Sequence, residues 1–171
     1  MKINIKELAV FGVLGAVLFA SKIVMEFLPN IHIVGALIIS ITAVYRIKAI
    51  YPLTVFILLT GLINGFPFWW IPYLYIWFPL LLLTLLIPEN TSPKISVPLY
   101  IIINAIHGFT YGILYAPTQA ILFGLDFKGT LAWIAAGFYF DMLHGIGNLV
   151  LGSLLIYPMT KIIKQTDKYV K

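Results

Sequence analysis

The chain has no cysteine and little charge, with six acidic and eleven basic residues in 171. The first absence excludes a disulfide framework, a zinc–thiolate site and a thiol nucleophile. The second, beside 61% hydrophobic and 15% aromatic residues and a mean hydropathy of +1.02, excludes an ordinary soluble domain. So much apolar side chain is needed only where the outside of a protein is apolar as well as its inside. Other motifs are missing too. Without a Walker motif the chain cannot hydrolyse ATP itself. Ser21, Ser40 and Ser153 lack a glycine-framed nucleophile motif, and no spacing nominates a paired histidine, so no enzymatic activity is expected. The net charge of +5 is scattered between apolar runs, a pattern of membrane orientation rather than nucleic-acid binding. No linker or low-complexity segment divides the chain, which is read as one domain, 1–171.

What is present is a series of hydrophobic runs. About 20 mainly apolar residues cross the hydrocarbon core as a helix. Six candidates occur, at about 8–28, 31–45, 49–65, 70–87, 97–116 and 130–159; the second and third are short and are expected to tilt little or sit where the bilayer is thinned. Lys2 and Lys6 before an apolar run, with Ala20-Ser21 after it, imitate a signal peptide, but hydrophobic segments continue to the C-terminus, so the run is read as the first membrane helix. With the N-terminus inside, Lys2, Lys6, Arg46, Lys48, Lys94, Lys161, Lys164, Lys168 and Lys171 fall on the cytoplasmic side. Lys128 falls outside, and Lys22 lies near the outer end of the first helix. The positive-inside rule therefore predicts a multi-pass protein of the cell membrane with both termini cytoplasmic. Pro117 is placed to stop or kink the fifth helix, so residues 117–125 are expected either as a short outer helix or re-entrant piece, or as a kinked continuation of that helix.

Two polar stripes interrupt the apolar pattern. The sixth span carries Gly137, Asp141, His144, Asn148 and Gly152 at steps of three or four, and the fifth carries Asn104, His107, Tyr111, Tyr115 and Gln119. Such steps stack on one helical face. Adjacent antiparallel helices with these faces would share a polar interior. An ionisable residue at membrane depth normally faces protein or water and has a partner. Asp141 is then either a ligand-orienting group or a buried group fixing helix packing. His107, His144 and Asp141 do not form a recognisable metal set, since no His-x-x-x-His or second nearby carboxylate supports them; no metal or other cofactor is expected.

The stretch NGFPFWWIPYLYIWF, 64–78, holds three of the four tryptophans. Trp and Tyr gather at membrane interfaces, which accounts for Trp69 and Trp70. The density of rings also suits an apolar pocket for a flat ligand, with Trp69, Trp70, Tyr73 and Trp77 as stacking surface. Lys22 and Glu26, four apart, either pair with each other or meet the ligand.

In the first span Gly12, Ala16 and Ala20 recur at every fourth position, with Gly15 beside them. Small residues at this spacing let helices approach closely in lipid, within the protein or against another membrane protein. With six spans, this size and this pattern, the chain resembles the substrate-binding S component of an energy-coupling factor (ECF) transporter. The resemblance covers the whole chain by size and topology and is specific only in the first helix. It implies that Gly12, Ala16 and Ala20 dock a membrane-embedded T component and that two cytoplasmic ATPases drive transport. It further implies a vitamin or related micronutrient captured from outside by LPNIH (28–32), NGFPFWW (64–70) and the last two spans. On this reading Asp141, His144, Asn148, Asn104, His107 and Tyr111 contact the ligand. Two other readings remain: a non-transporting six-span scaffold of a cell-envelope complex, and a stand-alone proton-coupled carrier using Asp141 and His144. The carrier lacks the internal repeat that many carriers show.

Overall fold

The computed structural model describes residues 3–168, and among them every regular element is helical. Lys2 and Lys171, counted above for orientation, lie outside the described residues. Helices are what this composition demands, because in lipid each backbone N–H and C=O has to be satisfied within the protein. Eight α-helices follow one another among the described residues: α1 Ile5–Val24, α2 Val34–Tyr45, α3 Ile50–Asn64, α4 Tyr73–Ile76, α5 Phe78–Leu85, α6 Pro93–Phe109, α7 Tyr111–Phe123 and α8 Phe127–Asp167. Joined across single turns, they make five stretches long and apolar enough to cross a membrane: Ile5–Val24, Val34–Asn64, Phe68–Leu85, Pro93–Phe123 and Phe127–Asp167.

The chain changes direction inside the second stretch. Phe11 of α1 meets Tyr45 at the end of α2, edge to face with ring centroids 5.1 Å apart. Glu7 pairs with Lys48, and Gly15 packs on Pro52 and Val55 of α3. So α2 runs against α1, and α3 runs alongside it in the same direction. The reversal is a 3-10 turn over Arg46–Ala49, entered with Arg46 at φ +52°. Arg46 holds that uncommon backbone while its Nη2 donates to the carbonyl of Leu85 at 2.6 Å, the last residue of α5. A cation on a helix C-terminus complements the partial negative charge there.

The core forms around α2. Its sequence VGALIISITAVY has no polar face, and ten of its twelve residues are buried, as expected of a helix that is apolar all round. At about 18 Å it is shorter than the hydrocarbon core is thick, which a helix surrounded by protein rather than lipid can be. Hydroxyls enter this core by bonding back to their own helix: Ser40 to Ala36, Thr42 to Ile38, Thr60 to Phe56 and Thr84 to Leu80, each at 2.7–2.8 Å. Outside, the surface is apolar, with Leu8, Leu62, Leu86, Phe138 and Leu154 all exposed.

Three expectations change in detail. The fourth span is broken into a 3-10 turn (Phe68–Trp70), α4 and α5, because Pro72 and Pro79 cannot donate to a continuous ladder. Pro117 does not end the fifth helix; it sits inside α7, and the interruption falls at Thr110 instead. Residues 117–123 therefore belong to a helix that begins at Tyr111, neither a separate outer piece nor one started by Pro117, and Gly124 in the left-handed conformation closes α7. Beyond it α8 runs 41 residues, past both expected ends at 130 and 159. Its length of about 60 Å is twice the hydrocarbon core.

Candidate ligand-binding site

The two polar stripes face each other across an antiparallel seam between α6–α7 and α8. Glycine makes the close approach possible. A Cβ on Gly108 would lie 2.8 Å from the Gly145 backbone, and one on Gly145 would strike the Phe109 ring. Along this seam the Asn104 side chain donates to the carbonyl of Asn148 at 2.9 Å, and the Asn148 side chain donates to the carbonyl of Asn104 at 3.0 Å. The reciprocal pair clasps the helices at one level. Asp141 clasps them at another, its Oδ1 accepting from the Gly112 N–H at 3.0 Å. Gly112 is the second residue of α7, so the carboxylate stands at a helix N-terminus, where backbone donors are free and negative charge is favoured. Gly112 admits no side chain there, since a Cβ would strike Asp141 Oδ2. Asn104, Asn148 and Asp141 are thus engaged in helix packing, and none of them lines the cavity that opens beside the seam.

A cavity of about 290 Å³ opens beside the seam at the end holding Lys22 and Asn30. All five residues of LPNIH, 28–32, line it, with Lys22, Met25 and Glu26 before them and Tyr73, Tyr111 and His144 opposite. All three histidines of the chain gather here. The His144 ring lies 4.8 Å from that of His32 and 6.3 Å from that of His107. Tyr111 closes on His144 at 4.8 Å. His107 Nε2 donates to the carbonyl of Ile76 at 2.9 Å. That leaves buried ring nitrogens without a partner: Nδ1 of His32, Nδ1 of His107 and Nε2 of His144. His32, in the loop between α1 and α2, is lowered to about 4 by burial, with His107 and Lys22 adding to the effect. Among the described residues no three His, Cys, Asp or Glu side chains are arranged to hold a metal ion.

The aromatic residues divide by role. Tyr73 lines the cavity. Trp69 lies at its rim, its ring 5.7 Å from Tyr73 and beneath the Lys22 ammonium at 5.6 Å. Trp77, almost wholly buried, backs the site between Tyr73, His107 and His32. Trp70 is turned away, its indole N–H donating to the carbonyl of Ile57 at 2.8 Å. Of the ten residues expected to touch ligand, the structure puts Tyr73, Tyr111 and His144 on the wall, with His107 and Trp77 behind it and Trp69 at the rim. His32 is the group residue spacing missed: it belongs to neither stripe, and only its place in LPNIH pointed to it. Lys22 and Glu26 do pair, at 3.6 Å, and also border the cavity.

On α1 the small residues separate as well. Gly15 is the internal packing position against Pro52 and Val55, whereas Gly12 has nothing within 4 Å of a built Cβ and Ala16 and Ala20 are exposed. At the opposite end of the bundle a second cavity of about 310 Å³ lies between the start of α6 and the last turns of α8, rimmed by Glu89, Lys161, Lys164 and Asp167. Compared with protein-family models, with curated proteins and with solved structures, the chain has no match in any of the three.

Proposed function

We propose that this protein is the substrate-capture subunit of a membrane transporter, of the kind the ECF resemblance describes. On this reading it crosses the bilayer six times, the α2–turn–α3 stretch being two crossings, with both termini cytoplasmic. The cavity lined by LPNIH then opens to the outside. The observation that carries the reading is that cavity: small-molecule sized, walled on one side by rings, and bordered by buried ring nitrogens of His32 and His144 with no internal partner. Buried polar groups are normally satisfied within the protein, and a pocket that keeps a few in reserve has the composition of a ligand site.

The clustering of Arg46, Lys48, Lys161 and Lys164 at the far end supports the orientation through the positive-inside rule. The outward Gly12–Ala16–Ala20 stripe supports docking of a second membrane protein, a T component that would couple capture to two cytoplasmic ATPases. Gly12→Leu and Ala16→Leu are expected to abolish that assembly while sparing ligand binding.

The test is a mild-detergent pull-down of the tagged protein from its native membranes, with partners identified by mass spectrometry. Stoichiometric recovery of a membrane T protein and two ATPases supports the proposal. Recovery of cell-envelope assembly proteins alone would favour the scaffold, in which the cavity has no ligand. Uptake that persists when the ATPases are disabled would favour a stand-alone carrier.

A further inference from the structure

The charges around the cavity are few and unequal. Lys22 and Glu26 are the charged side chains on its wall. The Lys22 side chain is only 14% exposed, whereas that of Glu26 is 62% exposed. Their 3.6 Å pair is long, and an ion pair with one partner largely in water contributes little and exchanges readily. Lys22 is oriented independently of Glu26, because its ammonium lies over the face of Trp69 at 5.6 Å, within cation–π reach. The one buried carboxylate nearby, Asp141, is committed to Gly112 and does not line the cavity. A cationic ligand would therefore find no sheltered counter-charge, while an anionic one finds Lys22 by displacing Glu26.

Four of the remaining wall residues, His32, Tyr73, Tyr111 and His144, carry rings that can both donate and accept. Imidazoles and phenols serve either role, and the rings of His32 and Tyr111 both meet His144 edge-on, with centroids 4.8 Å apart. The volume of about 290 Å³ is at the small end of ligand pockets, enough for a compound of one or two rings.

We infer that the cavity takes a planar heteroaromatic acid, its anionic group on Lys22 and its ring among His32, Tyr73, Tyr111 and His144. This rests on the capture reading above and makes Lys22 the residue that sets ligand charge.

The test uses the full chain in detergent and has two arms. Protein purified from its native membranes is denatured, and any released small molecule is identified by mass spectrometry. In parallel, thermal shift and calorimetry compare acids with their neutral amides: pyridine-3-carboxylate with the carboxamide, and quinoline-3-carboxylate with its carboxamide. The expected result is a bound anion, or an acid that binds at least tenfold more tightly than its amide. Lys22→Gln should abolish that preference, Lys22→Arg should keep it, and Glu26→Gln should hold the acid at least as tightly as the unaltered protein. Tm measured without ligand checks that each variant is folded. Equal binding of acid and amide, acid preference that survives Lys22→Gln, or release of a neutral or cationic compound overturns the inference and leaves the capture reading standing. If nothing is released and no probe binds, both fall.

Discussion

The seam between α6–α7 and α8 and the cavity beside it draw on one pair of polar stripes and use them oppositely. In the seam, Asn104 and Asn148 donate to each other's backbone, and Asp141 accepts from Gly112. A few ångströms away His144 and His32 face each other with ring nitrogens unspent. A polar group inside a membrane protein is costly in either place. What separates the two places is where the group faces: Asn104, Asn148 and Asp141 reach the backbone of the opposite helix, whereas His32 and His144 border the cavity. Asp141, the sharpest functional signal in the sequence, falls in the packing seam, and His32, which the residue spacing missed, falls on the cavity wall.

That division can be broken by substitution. The largest effect should come from Gly108→Val, which forces a branched side chain into the Gly145 backbone; a loss of more than about 3 kcal/mol is expected, seen as failure to give a monodisperse peak in detergent. Acid comes next. His32 has a folded pKa of about 4 against an ordinary 6.5, so its contribution is intact above pH 6.5 and is lost as the pH falls towards 4. Full loss amounts to at most about 3 kcal/mol. The groups around it are His107, His144 and Lys22. Tm measured from pH 7 to 4 should fall less steeply in His32→Asn than in the unaltered protein. Asp141→Ala should cost about 1–3 kcal/mol by stranding the Gly112 N–H, with Asp141→Asn milder because it keeps an acceptor. In either variant, ligand affinity in the protein that remains folded should change less than tenfold. A larger loss of affinity at unchanged Tm would return Asp141 to the binding side. The smallest effect on stability is expected for His144→Phe, since an apolar ring of similar shape replaces a nitrogen that has no partner. Its Tm should stay within the equivalent of about 0.5 kcal/mol, while binding of any ligand found for the cavity falls at least tenfold.

The helical class, the placing of the first helix and the antiparallel meeting of the two stripes were all legible in the sequence. Each follows from a local property: hydropathy for the spans, a step of three or four for the stripes. The break at Thr110 was not legible, because it accompanies a long-range bond from Gly112 to Asp141, 29 residues away. Pro117, the local signal for a break, was accommodated inside α7. The division of the stripes was equally hidden. Asn104 and His107 are alike in periodicity, yet Asn104 meets a carbonyl on α8 and His107 turns to Ile76. The aromatic segment shows the same limit, since Trp69, Trp70 and Trp77 share composition but end at a rim, in an anchor and in the core. The small-residue repeat needed the packing partner to be read fully: Gly15 meets α3, whereas Gly12 has nothing near it and Ala16 and Ala20 are exposed.

The unbroken length of α8 has a mechanical consequence. His144 lies on the wall of one cavity, and Thr160, Lys161 and Lys164 lie on the wall of the other, all on a single rod. About 25 Å separates His144 from Lys161 along the helix axis, so a tilt that opens one end by a small angle sweeps the other through several ångströms. Pro158, close to the far end, is the one position inside α8 where a missing backbone donor leaves room to bend. The two cavities are therefore joined by one helix, and a displacement of α8 beside the histidines would be carried to the far end up to Pro158.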